Sequence, residues 1–126
     1  MSFSNHAENL VLDWLLTNGT ATRPTAWYVG LFTSDPTDAD TGTEVSGGSY
    51  ARTAVTFSVT GNAATNTAAV EFPAATASWG TVSHIAIYDA STGGNMLFHT
   101  ALDTAKAITD GDVFRIPTGD LDFTLD

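Results

Sequence analysis

The sequence predicts a mainly β fold, an antiparallel β-sandwich or small barrel preceded by one N-terminal amphipathic α-helix. Two observations carry the β part. Short alternating runs are separated by turn signals along most of the chain. Trp79 to Leu102 also reads as two apolar strands joined through Gly93-Gly94, a hairpin pattern. A third observation, a stripe of apolar residues near the start, carries the helix.

The helix is expected over about residues 5–18. Asn5 and Glu8 have capping-box spacing. Ala7, Leu10, Val11, Trp14 and Leu15 fall on one stripe, which Leu12 and Leu16 widen, and Asn18-Gly19 supplies a left-handed stop. Such a helix is expected to seal one end of the β core, with Trp14 partly in an intersubunit contact. The β-domain is expected over about residues 26–126, in one domain spanning 1–126. Ala26 to Thr33 is a strand apolar on both faces, and Asp35 to Gly48 is a loop marked by Asp-Pro, Thr-Gly and Gly-Gly. Tyr50 to Val59 alternates, with Val55, Phe57 and Val59 inward. Ala68 to Phe72 is a short strand with Ala68, Val70 and Phe72 on one face, ended by Pro73. In the first arm of the hairpin, Val82, His84, Ala86 and Tyr88 share one face, while Ile85 and Ile87 take the other. Ala105 to Thr109, the Asp110-Gly111 turn, Val113 to Ile116, and the alternation of Leu121, Phe123 and Leu125 complete the pattern. A strand apolar on both faces needs covering twice, by its own core and by a second sheet, a helix or another subunit. That requirement points to a protein that works by packing against others.

The 126 residues suffice for one domain that buries a core without disulfides, and there is no cysteine to form one. The N-terminus lacks the basic stretch of a signal peptide, and no apolar run nears the ~20 residues of a membrane helix. Synthesis in a host cytoplasm and no membrane partner are the expectation. Charged residues make up 14% of the chain, and fourteen acids against four bases give a net charge of -10. Nucleic acid is excluded as a partner, because duplex binding needs clustered Lys and Arg to displace counterions. Arg23, Arg52, Lys106 and Arg115 are scattered instead.

No residue set points to catalysis. His84 and His99 lie in the two arms of the hairpin, where an acid/base dyad or a metal pair with Asp89 is conceivable. No nucleophile elbow or helical His pair accompanies them, and His6 reads as a surface or capping residue. Asp35, Asp38, Asp40 and Glu44 form an acidic loop whose spacing is not that of a calcium loop. Gly47-Gly48 and Gly93-Gly94 lack the Lys-Ser/Thr and helix of a phosphate loop. Catalytic, cofactor and metal residues are therefore all expected to be none, and no cofactor is expected. Trp27, Tyr28, Tyr50, Trp79 and Tyr88 are core aromatics or, on the sharper reading, platforms for sugar rings. Trp14, Tyr28, Trp79 and Tyr88 are the expected interface residues, since Trp and Tyr dominate interface energetics.

Several segments together resemble a family of small virion proteins of tailed bacteriophages and prophages. They are Asn5-His-Ala-Glu-Asn-Leu, Trp27-Tyr-Val-Gly-Leu-Phe-Thr, Glu44-Val-Ser-Gly-Gly-Ser-Tyr-Ala-Arg, Ala64-Thr-Asn through Phe72-Pro, Trp79-Gly-Thr-Val-Ser-His-Ile-Ala-Ile-Tyr-Asp and Gly93-Gly-Asn-Met-Leu-Phe. They span nearly the whole chain. The resemblance implies a structural role in the virion and no catalytic residues. Within that role the first expectation is a capsid decoration, or cement, protein. It would associate with itself as a homotrimer and with the major capsid protein or another virion protein. The alternative is a tail-fibre or tail-associated module that recognises a host surface glycan.

Overall fold

The computed structural model describes residues 1–125; Asp126, the last residue of the expected domain, lies outside them. In chain order the elements are β1 (Ser2–Phe3), α1 (Asn5–Leu16), β2 (Tyr28–Phe32), β3 (Thr53–Ala54), β4 (Phe57–Thr60), β5 (Ala63–Asn66), β6 (Val70–Glu71), β7 (Gly80–Tyr88), β8 (Met96–Ile108), β9 (Arg115–Ile116) and β10 (Asp122–Thr124). The mainly β class holds. The strands form antiparallel sheets in the orders β1-β8-β7-β2-β3, β10-β5-β4 and β6-β9, and among the described residues no sheet closes into a barrel.

The β7–β8 hairpin is the middle of the large sheet, and Gly93 and Gly94 turn it with positive φ. Asp89 closes that turn: its Oδ1 accepts from the Asn95 amide at 2.7 Å. One face of the sheet carries Val29, Leu31, Val82, Ile85 and Ile87 into the main core, where they meet Val70, Phe72, Phe114, Ile116 and Leu121. Facing of Val82 differs from simple alternation. It pairs with Lys106, while His84 pairs with Ala101, so residues 102–105 bulge opposite Ser83 alone. The bulge rotates the strand and puts Val82 on the same side as Ile85 and Ile87, away from His84, Ala86 and Tyr88. Phe32, Ala86, Tyr88 and Met96 form a second apolar cluster apart from that core.

The run from Tyr50 to Val59 is not one strand. Its first part, β3, pairs with β2 in the large sheet, and its second, β4, pairs with β5 in the small one. Buried Val55 lies at the crossing, held by its amide on the Trp27 carbonyl at 3.0 Å. Val59 consequently points outward, as do Ala68 and, in part, Leu125. Strand β5 was not expected. Thr60 pairs with Ala63, so Gly61-Asn62 is a two-residue hairpin turn, with Gly61 at φ 61°.

Helix α1 sits differently from the expected cap on the core. Its N-cap is Ser4, whose Oγ accepts from the Ala7 amide at 3.1 Å and donates to the Met96 carbonyl. It ends at Thr17, whose hydroxyl donates to the Asp13 carboxylate at 2.7 Å, and neither Asn18 nor Gly19 is left-handed. Ala7 is the one fully buried residue of the helix.

Asn66 joins the small sheet to the segment before β10. Its Nδ2 donates to the Ala68 and Pro117 carbonyls at 2.9 and 3.0 Å, and its Oδ1 accepts from the Gly119 and Leu121 amides at 3.0 Å each. The side chain is fully buried, and its loss strands the Leu121 amide and the Ala68 carbonyl, while the Gly119 amide keeps the Asn66 carbonyl and the Pro117 carbonyl keeps the Asp120 amide, each at 3.2 Å. Asn66→Leu is expected to cost about 3 kcal/mol, read as a lower midpoint in urea denaturation. An unchanged midpoint contradicts the assignment.

Candidate interaction surface

The second apolar face of the large sheet is covered by the chain itself. The irregular segment between β2 and β3 folds back over Phe32 and Tyr88, and Arg52 fixes it there. Both nitrogens on one side of its guanidinium reach Glu44, Nε to Oε2 at 2.9 Å and Nη2 to Oε1 at 2.8 Å. Nη1 donates to the carbonyls of Ala90 and Gly93 at 3.0 and 2.7 Å, and the guanidinium carbon lies 3.5 Å from the Tyr88 ring centroid. One side chain thus ties the loop, the sheet and the hairpin turn together. Gly30 makes room for it: a Cβ there would stand 3.0 Å from Glu44 Oε2.

Burial and a hydrogen bond to Glu44 raise the Tyr50 phenol above its ordinary range, and burial and a hydrogen bond to Asp40 do the same for Tyr88. Burial works against the Arg52 charge, yet Glu44 outweighs it and holds the guanidinium above its ordinary value. These groups are a structural cluster, shielded and fully bonded. None is poised for proton transfer at neutral pH.

The acidic loop uses its carboxylates internally. Asp35 accepts from the Thr37 amide at 2.8 Å, Asp38 meets His99 at 2.7 Å, and Asp40 accepts from the Tyr88 hydroxyl at 2.6 Å. Among the described residues no group of three or more His, Asp or Glu side chains is arranged to hold a metal. His84 bonds its neighbour Ser83 at 2.8 Å, and Asp89 bonds Asn95, so the hairpin histidines and Asp89 do not come together as a dyad.

The four expected interface residues separate. Trp79 and Tyr88 are buried, with the Trp79 indole donating to the Gly48 carbonyl at 2.9 Å. Tyr28 is half-buried at the edge of the Arg52 layer, and Trp27 and Tyr50 are half-buried too. Trp14 alone stands in water, 68% exposed, beside Leu12 at 55%, Leu15 at 62% and Leu16 at 75%. The helix packs on β1 and β8, with the Ser4 amide on the Leu97 carbonyl, while Leu10 and Val11 are half-buried beside Ala21 and Arg23 and the residues beyond them are exposed apart from Asp13. From Leu10 to Leu16 only Asp13 is polar. A helix apolar all round is normally buried.

A second apolar surface was not expected from sequence. An open groove of about 310 Å³ lies beside the small sheet, lined by Trp27, Phe57, Val59, Phe98, Phe123 and Leu125. Phe98 and Phe123 form its aromatic floor, centroids 3.8 Å apart, and Phe3 packs on Phe98 in a tilted pair at 4.9 Å. Its signal in the sequence is the apolar half of the alternating strands, Phe57 and Val59 with Phe123 and Leu125, which reads as inward-facing core until the layers are known.

The family model described as Podophage GP4 fiber I protein gp80 matches residues 2–124. The chain belongs to the Gp80 family. It is a phage virion structural protein, as the resemblance implied, and its relatives' description is that of a fibre. A comparison with curated proteins gives no match. Among the described residues no helix of this Gp80-family chain is long and apolar enough to cross a membrane.

Lysine lacks the fork that serves Glu44 and two carbonyls at once, so Arg52→Lys is expected to cost about 2–4 kcal/mol and Arg52→Ala about 3–5 kcal/mol. Both are measurable by denaturant unfolding. Above pH 10 the unfolded chain releases the Tyr50 and Tyr88 protons while the folded chain retains them. The unfolded state then binds fewer protons, and stability falls as pH rises. Urea midpoints measured from pH 8 to 11 should be level up to about 9.5 and decline beyond it, and less steeply in Tyr88→Phe.

Proposed function

We propose that this protein is a non-enzymatic structural subunit of a phage fibre, held in the virion by contacts between copies of itself and with a neighbouring virion protein. The observation that supports it most directly is the free apolar end of α1. Leu12, Trp14, Leu15 and Leu16 leave on the order of 500 Å² of side-chain surface in water, taking about 200 Å² for each large side chain. Leu12, Leu15 and Leu16 share one side of the helix and Trp14 projects from the other, so this surface wraps the helix end, and exposed apolar surface of this extent marks interaction sites. The Glu44–Arg52 cluster and the acidic loop, where an enzyme of this composition would keep its chemistry, are used up in holding the fold. A fibre subunit that works by contact has no use for such groups.

Between the two virion roles, the family favours the fibre over shell decoration. Glycan capture draws less support. The aromatics that would stack on sugars, Trp79 and Tyr88 above all, are occupied inside the fold. A homotrimer is the oligomer we favour, since closed cyclic symmetry limits assembly to a defined object.

Antibody or gold labelling of purified particles is expected to place the protein on a fibre, in a few copies per attachment point. Labelling spread evenly over the head would support decoration instead, and particles without the protein would overturn the reading. Trp14→Ser should leave thermal stability within about 0.5 kcal/mol of the native chain while weakening association in sedimentation. The loss of 3–5 kcal/mol that a buried tryptophan implies would show that Trp14 belongs to the core.

A further inference from the structure

We infer that Asn18 is a self-modification site, where the chain converts its own asparagine to aspartate and isoaspartate at a rate set by the end of α1. Asparagine is a thermolabile residue. Its conversion needs the next backbone nitrogen to reach the side chain, and glycine alone has no Cβ in the way. Of the six asparagines in the chain, Asn18 is the one followed by glycine. The other five are held. Asn5 and Asn9 lie within α1, whose fixed backbone keeps the following nitrogen off the side chain. Asn62 donates to the Leu125 carbonyl at 2.7 Å and Asn95 to the Asp89 carboxylate at 3.1 Å. Asn66 is buried with both ends of its amide engaged. Asn18 and Gly19 are exposed, just past the last helical residue.

The step is a ring closure that needs only water. The Gly19 nitrogen gives its proton to water and bonds to the side-chain carbonyl carbon of Asn18. The bond from that carbon to Nδ2 breaks, and ammonia leaves with a proton taken from water. Water then opens the cyclic imide at one carbonyl or the other. One opening gives aspartate; the other gives isoaspartate, in which the main chain runs through the side-chain carbon. The fold restrains this nitrogen. The Gly19 amide donates to the Thr17 hydroxyl at 2.9 Å, and that hydroxyl donates to the Asp13 carboxylate at 2.7 Å. The ring closes only when the Gly19 bond opens, so the helix end acts as a brake. A Cβ on Gly19 would collide with the Asp13 carboxylate, so the contact that restrains the pair also requires its glycine. The product has a consequence for the helix. Conversion adds a carboxylate beside Asp13, past the C-terminus of a helix whose last turn holds no base. Negative charge is unfavourable at that end of the helix dipole. The modified chain therefore loosens the turn that carries the exposed Leu15 and Leu16.

The test incubates the purified full chain in mildly alkaline buffer and follows each asparagine by peptide mapping, mass spectrometry and an isoaspartate assay. Asn18 is expected to convert first, giving both products. Thr17→Val removes the restraining hydroxyl at an exposed position, with folding checked by circular dichroism. It is expected to convert about five-fold faster, the factor that one ordinary hydrogen bond is worth. Asn18→Gln lengthens the side chain by one carbon, disfavours the ring and is expected to stay intact over the same period. Asn18→Asp reproduces one product and should lower amide-exchange protection in the last turn of α1 several-fold. An Asn18 that stays intact throughout, or while Asn62 or Asn95 converts, overturns the site. A Thr17→Val chain that converts no faster than the native one overturns the brake, and unchanged exchange in Asn18→Asp overturns the effect on the helix. The fibre reading stands or falls separately, by labelling of particles.

Discussion

The guanidinium of Arg52 decides how the sheet is finished. The β7–β8 hairpin is apolar on both faces, and the main core takes only one of them. The other, with Phe32, Ala86, Tyr88 and Met96, needs a cover, and the cover is a segment with no regular structure of its own. A loop of that length does not stay on a sheet by apolar contact alone, since ordering each residue costs about 1–2 kcal/mol of backbone entropy. A cation with its side chain almost wholly out of water needs partners, and Glu44, two hairpin carbonyls and the Tyr88 face supply them. Pairing of this buried charge offsets part of that ordering cost, and burial of Pro36 and Val45 from the same segment offsets more of it. Gly30 beneath the Glu44 carboxylate is the small residue that lets this layer approach, and Gly93, at positive φ in the turn, presents its carbonyl to Arg52.

This closure corrects an inference that the sequence invites. Double-faced apolarity of the hairpin reads as surface reserved for another subunit, yet the chain folds back and covers it. Surplus apolar surface is present, but on α1. Its stripe was legible down to the residues; its burial was not. An amphipathic helix is usually assigned to its own core because most are, and seven residues with one polar member exceed what one supporting sheet can cover. The N-terminal anchor through Ser4 and the Met96 carbonyl was masked by Asn5 and Glu8, which offer capping-box spacing one residue too late.

The rest of the fold was readable to different depths for physical reasons. Period-two alternation located β2, both arms of the hairpin, β6 and β9, since each buries a face. It failed at Tyr50 to Val59 because alternation continues unbroken while the strand changes sheets, and a change of partner leaves no mark on period. It failed again at Val82, where a bulge in the partner strand rotates the face. The missing β5 was betrayed only by Gly61-Asn62, a turn signal without an apolar run behind it. Arg52 was visible as a base and nothing more: its role depends on Glu44, Ala90 and Gly93 meeting in space.

The acidic surface gives these pieces a common logic. A chain so poor in bases cannot bind copies of itself by charge complementarity, and salt bridges contribute little where every surface is negative. Of its four basic side chains, Arg52 is consumed inside the fold, so the surface is more uniformly anionic than the composition alone indicates. Any association between copies is therefore limited to uncharged apolar patches, with repulsion elsewhere restricting the geometry. Uniform repulsion also excludes most wrong orientations, which is specificity obtained by disfavouring alternatives. On such a surface the apolar helix end and the apolar groove stand out as the places where a partner is met at little electrostatic cost.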